Sequence, residues 1–121
     1  MKNRFSKMAF ICLVAMAAAA FTIPTLVVSP SAMTVAPNVT FGITLIYTNT
    51  SYMLVQIEST DQGTISGVVP IPEETRNQQT ESIVIFQDVI EERDVERQYM
   101  FFVGDDDGNI IMESVDCRTL P

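Results

Sequence analysis

Tyr99–Val115 reads YMFFVGDDDGNIIMESV. Two apolar runs flank a turn rich in Asp and Gly, the pattern of a β-hairpin. With Asp105–Gly108 as the loop, Val103 opposes Ile110, Phe101 opposes Met112 and Tyr99 opposes Ser114. These side chains share one face, because side chains alternate along a strand. Phe102, Ile111, Met100 and Glu113 take the other. A tighter Asp107-Gly108 turn shifts the pairing, so the register stays open. Neither face is cleanly polar, whereas a sheet with one face in water alternates more strictly. The second face is therefore expected to lie partly under a loop, another sheet or another chain.

Working back from this hairpin, Val39–Tyr47 has the clearest period of two in the chain. Val39, Phe41, Ile43, Leu45 and Tyr47 face one way, as a half-buried strand requires. Thr48–Ser51 is a turn of residues that bond readily to their own backbone. Tyr52–Glu58 follows as a second strand, with Met53, Val55 and Ile57 on one side. These two strands are expected to form an antiparallel hairpin. Thr64–Val69 is a short strand in which Gly67 marks a bulge or a close approach, and Pro70 and Pro72 end it. Glu73–Thr80 is polar and reads as an exposed loop. Ser82–Ile90 is rich in β-branched and aromatic residues and reads as the next strand. Glu91–Gln98 is a connector, or one or two helical turns too short to be stable alone. Asp116–Pro121 is a tail after the hairpin.

The N-terminus carries a different signal. Lys2, Arg4 and Lys7 precede the 21-residue apolar run Met8–Val28, interrupted only by Thr22, Pro24 and Thr25. A basic start, an apolar core and small residues describe a secretory signal. Ala18-x-Ala20 suits cleavage before Phe21, and Ser29-x-Ser31 suits cleavage before Ala32. The alternative is an uncleaved anchor, since the run is just long enough to span a bilayer; both readings export the remainder. Phe21–Pro37 (FTIPTLVVSPSAMTVAP) has three prolines and no charge. It reads as a leader or linker, or as an extra strand at a sheet edge.

Loss of the first 20 residues leaves four Arg against 15 acids, a net charge of −11, with no Lys, His or Trp. Nucleic acid and anionic lipid are poor partners for such a chain, so a membrane enters only through an uncleaved N-terminal segment. Cations, basic proteins and neutral glycans remain as partners, and acidity also serves solubility. Cys12 leaves with a signal, and Ala9-Phe10-Ile11 lacks the small residue a lipid-attachment site needs. Cys117 then has no internal partner. It is expected either to bond another chain or to be a buried free thiol.

The residue types exclude much chemistry. Without His there is no His-based triad, His general base or His-containing zinc site. Without Lys there is no Schiff base, and no glycine-rich nucleotide loop appears. Paired carboxylates remain, as in glycosidases, but 15 acids make a close pair inevitable by chance. Gly104–Asn109 is the candidate metal site: Asp105 and Asp107 beside flexible glycines can offer oxygens to Ca²⁺, although the spacing is not that of an EF-hand. Asn38-Val39-Thr40 and Asn49-Thr50-Ser51 are glycosylation sequons in a host that glycosylates exported proteins. Tyr47, Tyr52 and Tyr99 are a candidate sugar-stacking set.

About six to seven strands with turns at short intervals, and no helical periods between them, predict an all-β fold: a small antiparallel β-sandwich, immunoglobulin-like or similar, behind an N-terminal signal or anchor helix. The expected organisation is a signal over 1–20 (or to 31, or an anchor), a leader over 21–37, and the sandwich over 38–121. The expected function is non-enzymatic, without a cofactor: a secreted or extracytoplasmic protein that binds a protein partner or self-associates, in the periplasm, at the cell surface or outside the cell. The alternatives are a Ca²⁺ or glycan module using the acidic hairpin tip, and a small carboxylate hydrolase.

Overall fold

Eight strands follow one another in the computed structural model, which describes residues 23–121. They are β1 (Thr25–Ser29), β2 (Ala32–Val35), β3 (Phe41–Thr48), β4 (Tyr52–Ser59), β5 (Gly63–Val69), β6 (Ser82–Asp88), β7 (Glu96–Gly104) and β8 (Ile110–Thr119), with one 3₁₀ turn at Glu73–Thr75. The signal or anchor expected over 1–20, and Cys12 with it, lies outside the described residues. The strands form two sheets, ordered β1-β3-β6 and β2-β8-β7-β4-β5. The all-β expectation holds. The strand count is higher than expected because residues 25–35 are not merely leader: Leu26 and Val28 pair along β3, and Met33 and Val35 along β8. Of the readings of that segment, the edge-strand one matches. The β2–β8 pair is parallel, so the expected purely antiparallel arrangement is corrected at that edge.

The alternation in β3 and β4 works as expected, but their pairing does not. Ile43, Leu45 and Tyr47 from β3, and Met53 and Val55 from β4, are buried in one core. Yet β3 pairs with β1 and β6, while β4 pairs with β5 and β7. The expected β3–β4 hairpin is a crossing from one sheet to the other. Long-range bonds hold that crossing open: the Asn49 N–H donates to the Gln78 carbonyl (2.7 Å) and the Ser51 N–H to the Gly104 carbonyl (2.7 Å). Asn49 takes a positive φ of 52°, which Asn tolerates better than most residues.

The β7–β8 hairpin is present, in neither simple register. Val103 faces Ile111, Phe101 faces Glu113 and Tyr99 faces Val115, one step from the pairing a four-residue loop gives. The loop is five residues, Asp105–Asn109, and Asp105 sets it. Its carboxylate accepts from the N–H groups of Asp107 (3.0 Å) and Asn109 (2.9 Å) and from the Asn109 side-chain amide (2.8 Å). Gly108 supplies the positive φ of 87° that the turn needs. At the start of the loop, Gly104 faces Tyr52, whose ring lies where a Cβ on Gly104 would be.

Aromatic edges join the two sheets. Phe86 of β6 meets Tyr99 (5.7 Å, 64°) and Phe101 (5.3 Å, 75°) of β7, and Phe41 of β3 meets Tyr99 (6.2 Å, 73°). Phe101→Ala is expected to cost about 3–5 kcal/mol, the range for emptying a large core site. Ile83→Ala, on the outward side of β6, is expected to change stability by less than about 0.5 kcal/mol. Urea unfolding of the two variants measures the contrast; equal losses would mean that Phe101 is not a core residue.

Candidate functional site

At one end of the core the inward face of β7 carries a charge. Arg97 continues the inward alternation of Tyr99, Phe101 and Val103, and only 7% of its surface is exposed. Its guanidinium meets Asp88 of β6 (3.0 Å) and Asp61 in the β4–β5 turn (3.4 Å). The Tyr99 hydroxyl donates to the same Asp88 carboxylate (2.6 Å). The cluster therefore ties the two sheets together at the pole where Asp88 ends β6. A buried cation needs this company, because desolvation is costly unless partners replace water. Among the described residues, Arg97 Nε is the buried side-chain polar atom without a partner. Burial alone would lower the Arg97 pKa, but Tyr99, Asp88 and Asp61 outweigh it and hold the guanidinium charged. Burial, then the bond to Asp88, pushes the Tyr99 phenol up. Both acids that converge here are spent on one arginine, so the cluster acts as a polar clamp.

Cys117 faces Arg97 across the β7–β8 pair. It is 4% exposed and free. Burial pushes its thiol up to about 11, against an opposing pull from Arg97. That placement fits the buried, unreactive thiol rather than a bond to another chain.

The remaining sites expected from sequence are scattered. The Asp105 carboxylate is turned into its own loop, and Asp107 offers it an N–H while its side chain is exposed. The Asn109 amide, working against a small burial effect, holds the Asp105 pKa below the usual carboxylate range. Among the described residues no three His, Cys, Asp or Glu side chains gather as metal ligands. Tyr47 and Tyr99 are fully buried, leaving Tyr52 exposed, so the three tyrosines do not form a surface platform. The Tyr47 hydroxyl is bonded to Thr75 (2.8 Å). Asn49 is buried and its amide donates to the Ile23 carbonyl (3.2 Å), a poor glycan acceptor in the folded chain, whereas Asn38 is exposed.

Two surfaces stand out instead. A shallow groove of about 730 Å³ crosses the outward side of β2, β8, β7 and β4, among Thr34, Glu58, Glu96, Gln98, Asp116 and Arg118. Some of its polar groups are already engaged: Gln98 donates to Asp116 (3.2 Å), and Arg118, which lies opposite Glu96 in register, pairs with Asp94 (3.8 Å). Farther along the same sheet, Val68, Leu54, Phe102 and Met112 form one outward row across four strands. On the other sheet, Val27, Ile46 and Ile83 form a second row, with Ile85 beside it. Val68 is 70%, Ile83 62% and Ile85 58% exposed.

No protein-family model, curated protein or solved structure matches the chain. Among the described residues no helix is long and apolar enough to cross a membrane.

Removing Asp88 leaves Arg97 with Asp61 alone. Asp88→Ala is expected to cost about 3 kcal/mol, the low end for breaking a buried pair, and Tyr99→Phe about 1–2 kcal/mol. Asp61→Ala should cost less than either; a larger loss would place the main partner at the turn. The thiol and phenol set an alkaline limit. Both pKa values are raised by folding: the thiol's contribution is complete below pH 9.0, its free value, and is lost as pH rises through about 11, while the phenol's is complete below pH 10.0 and falls only above it. Urea midpoints should hold to pH 9 and fall beyond it, and Cys117→Ala should remove part of the fall. A thiol reagent at neutral pH should label Cys117 only with urea present.

Proposed function

We propose that the chain is an exported, non-enzymatic, immunoglobulin-like β-sandwich that acts by binding a protein partner or assembling with itself, in the periplasm, at the cell surface or outside the cell. The observation that carries this reading is the surface of the three-stranded sheet. No outward strand position on it holds a charged residue, in a chain whose exported part has a net charge of −11 by composition. An exposed apolar patch on an otherwise strongly charged protein marks an interaction surface.

The immunoglobulin-like assignment draws on connectivity. Three strands oppose a sheet of five, successive strands β3 and β4 lie in different sheets, and the chain switches sheets between β1 and β2. Sandwiches of this class share those connections. Within the export reading, β1 bears on the cleavage point. Cleavage before Ala32 would remove β1 and the buried Leu26, whereas cleavage before Phe21 leaves every described strand in place.

The test is the intact mass of the protein from its native host without reductant. A single-chain mass beginning at Phe21 is expected, in an extracytoplasmic fraction. A mass beginning at Met1 in the cytoplasmic fraction would overturn the export reading, and a mass that halves on reduction would overturn the buried-thiol assignment.

A further inference from the structure

Four sheet edges lie among the described residues, and three of them are blunted. β1 has five residues between Pro24 and Pro30. β2 has four, with Pro37 close behind. β5 contains Gly63 and Gly67 and runs into Pro70. Short length, proline and glycine all weaken the addition of another strand. β6 has none of these devices. Its seven residues, SIVIFQD, include no Gly or Pro and no charge before the final Asp88. It pairs with β3 on one side and with no strand on the other.

We infer that β6 pairs antiparallel with β6 of a second copy, about a two-fold axis at Ile85, joining two three-stranded sheets into one of six. The inference rests on the assembly reading above. A symmetric pair must set outward residues against outward ones, and full overlap of seven residues then places the axis at the middle residue, Ile85. In that register Ile85 meets its own copy, Ile83 meets Gln87, Val84 meets Phe86 and Ser82 meets Asp88. No like charges are opposed, which is the condition an acidic chain must satisfy to pair with itself. The inward Val84 and Phe86, which β6 leaves half-buried at its free edge, are then covered from that side. The outward rows of the two copies merge into one uncharged surface.

Sedimentation of the protein from micromolar to about 1 mM chain, a range that captures a weak dimer, should show a monomer–dimer equilibrium. Ile85→Lys sets two ammonium groups side by side at the axis and should raise the dissociation constant at least about tenfold. Its urea midpoint should be that of the parent chain. Under mild oxidation Ile85→Cys should cross-link to itself and Ile83→Cys should not, whereas the double variant with Ile83→Cys and Gln87→Cys should; buried Cys117 stays silent. A dimer indifferent to Ile85→Lys but lost in Val68→Lys would sink the β6 pairing and leave the assembly reading standing. A monomer throughout the range would sink self-assembly in both forms.

Discussion

Phe86, reaching from β6 into the edges of Tyr99 and Phe101, is the contact on which the two sheets depend. Edge-to-face aromatic pairs add about 0.5–1.5 kcal/mol each beyond the area they bury. They also fix direction: a ring held edge-on at 64° and 75° sets how one sheet lies over the other. Tyr99 is held twice, by Phe86 and Phe41 at its ring and by Asp88 at its hydroxyl. Phe86 and Asp88 both belong to β6, two residues apart on the same inward face. One strand thus supplies the apolar and the polar halves of the junction. With no disulfide between the sheets, this short segment stands where a covalent staple would in many small domains.

Arg97 is the unusual member of that junction. Its position was legible in principle, because the inward series Val103, Phe101, Tyr99 reaches it at the next step of two. The charge hides it: EERDVERQ reads as a solvated connector, and composition outweighs parity when a strand is short. The partners leave no local trace, since Asp61 and Asp88 are 36 and 9 residues away. A polar clamp of this kind also leaves Arg97 Nε unpaired, so it stabilises less than its contacts suggest. It excludes alternative sheet positions, however, because any slip of β6 against β7 would strand the cation.

Elsewhere the line between what the residues disclose and what they conceal falls between periodicity and pairing. Alternation in Val39–Tyr47 and Tyr52–Glu58 identified the inward side chains correctly apart from Val39, which precedes β3 and is exposed. It could not say whether those faces lie side by side or opposite one another, because Thr48–Ser51 has the composition of a hairpin turn and of a crossing alike. The decision rests on carbonyls of Gln78 and Gly104, distant in sequence. For a related reason the segment of β1 and β2 read as leader, linker or edge strand alike. Proline breaks them into pieces too short to display a period, and their pairing with β3 and β8 is the whole of their regularity. The hairpin register turned on a single carboxylate. Asp105 was legible as a turn residue or a metal ligand, and which of the two depends on whether Asn109 reaches it.

The surface follows a logic distinct from the core. Four arginines against 15 acids over residues 23–121, a net charge of −11, keep copies apart at long range, but salt screens such repulsion beyond roughly 8–10 Å. At contact distance the local pattern decides, and there the protein is uneven. Carboxylates cluster around the β7–β8 loop, the groove beside Arg118 and the connector before β7, while the strands of the smaller sheet present Thr, Ser, Val, Ile and Gln outward. A chain selected only for solubility has no need to clear charge from one whole face and to leave a neighbouring edge free of proline and glycine. The coincidence of the two on β6 is what ties the apolar surface to a particular geometry, since a strand edge orients its partner through backbone hydrogen bonds that a flat apolar patch cannot supply.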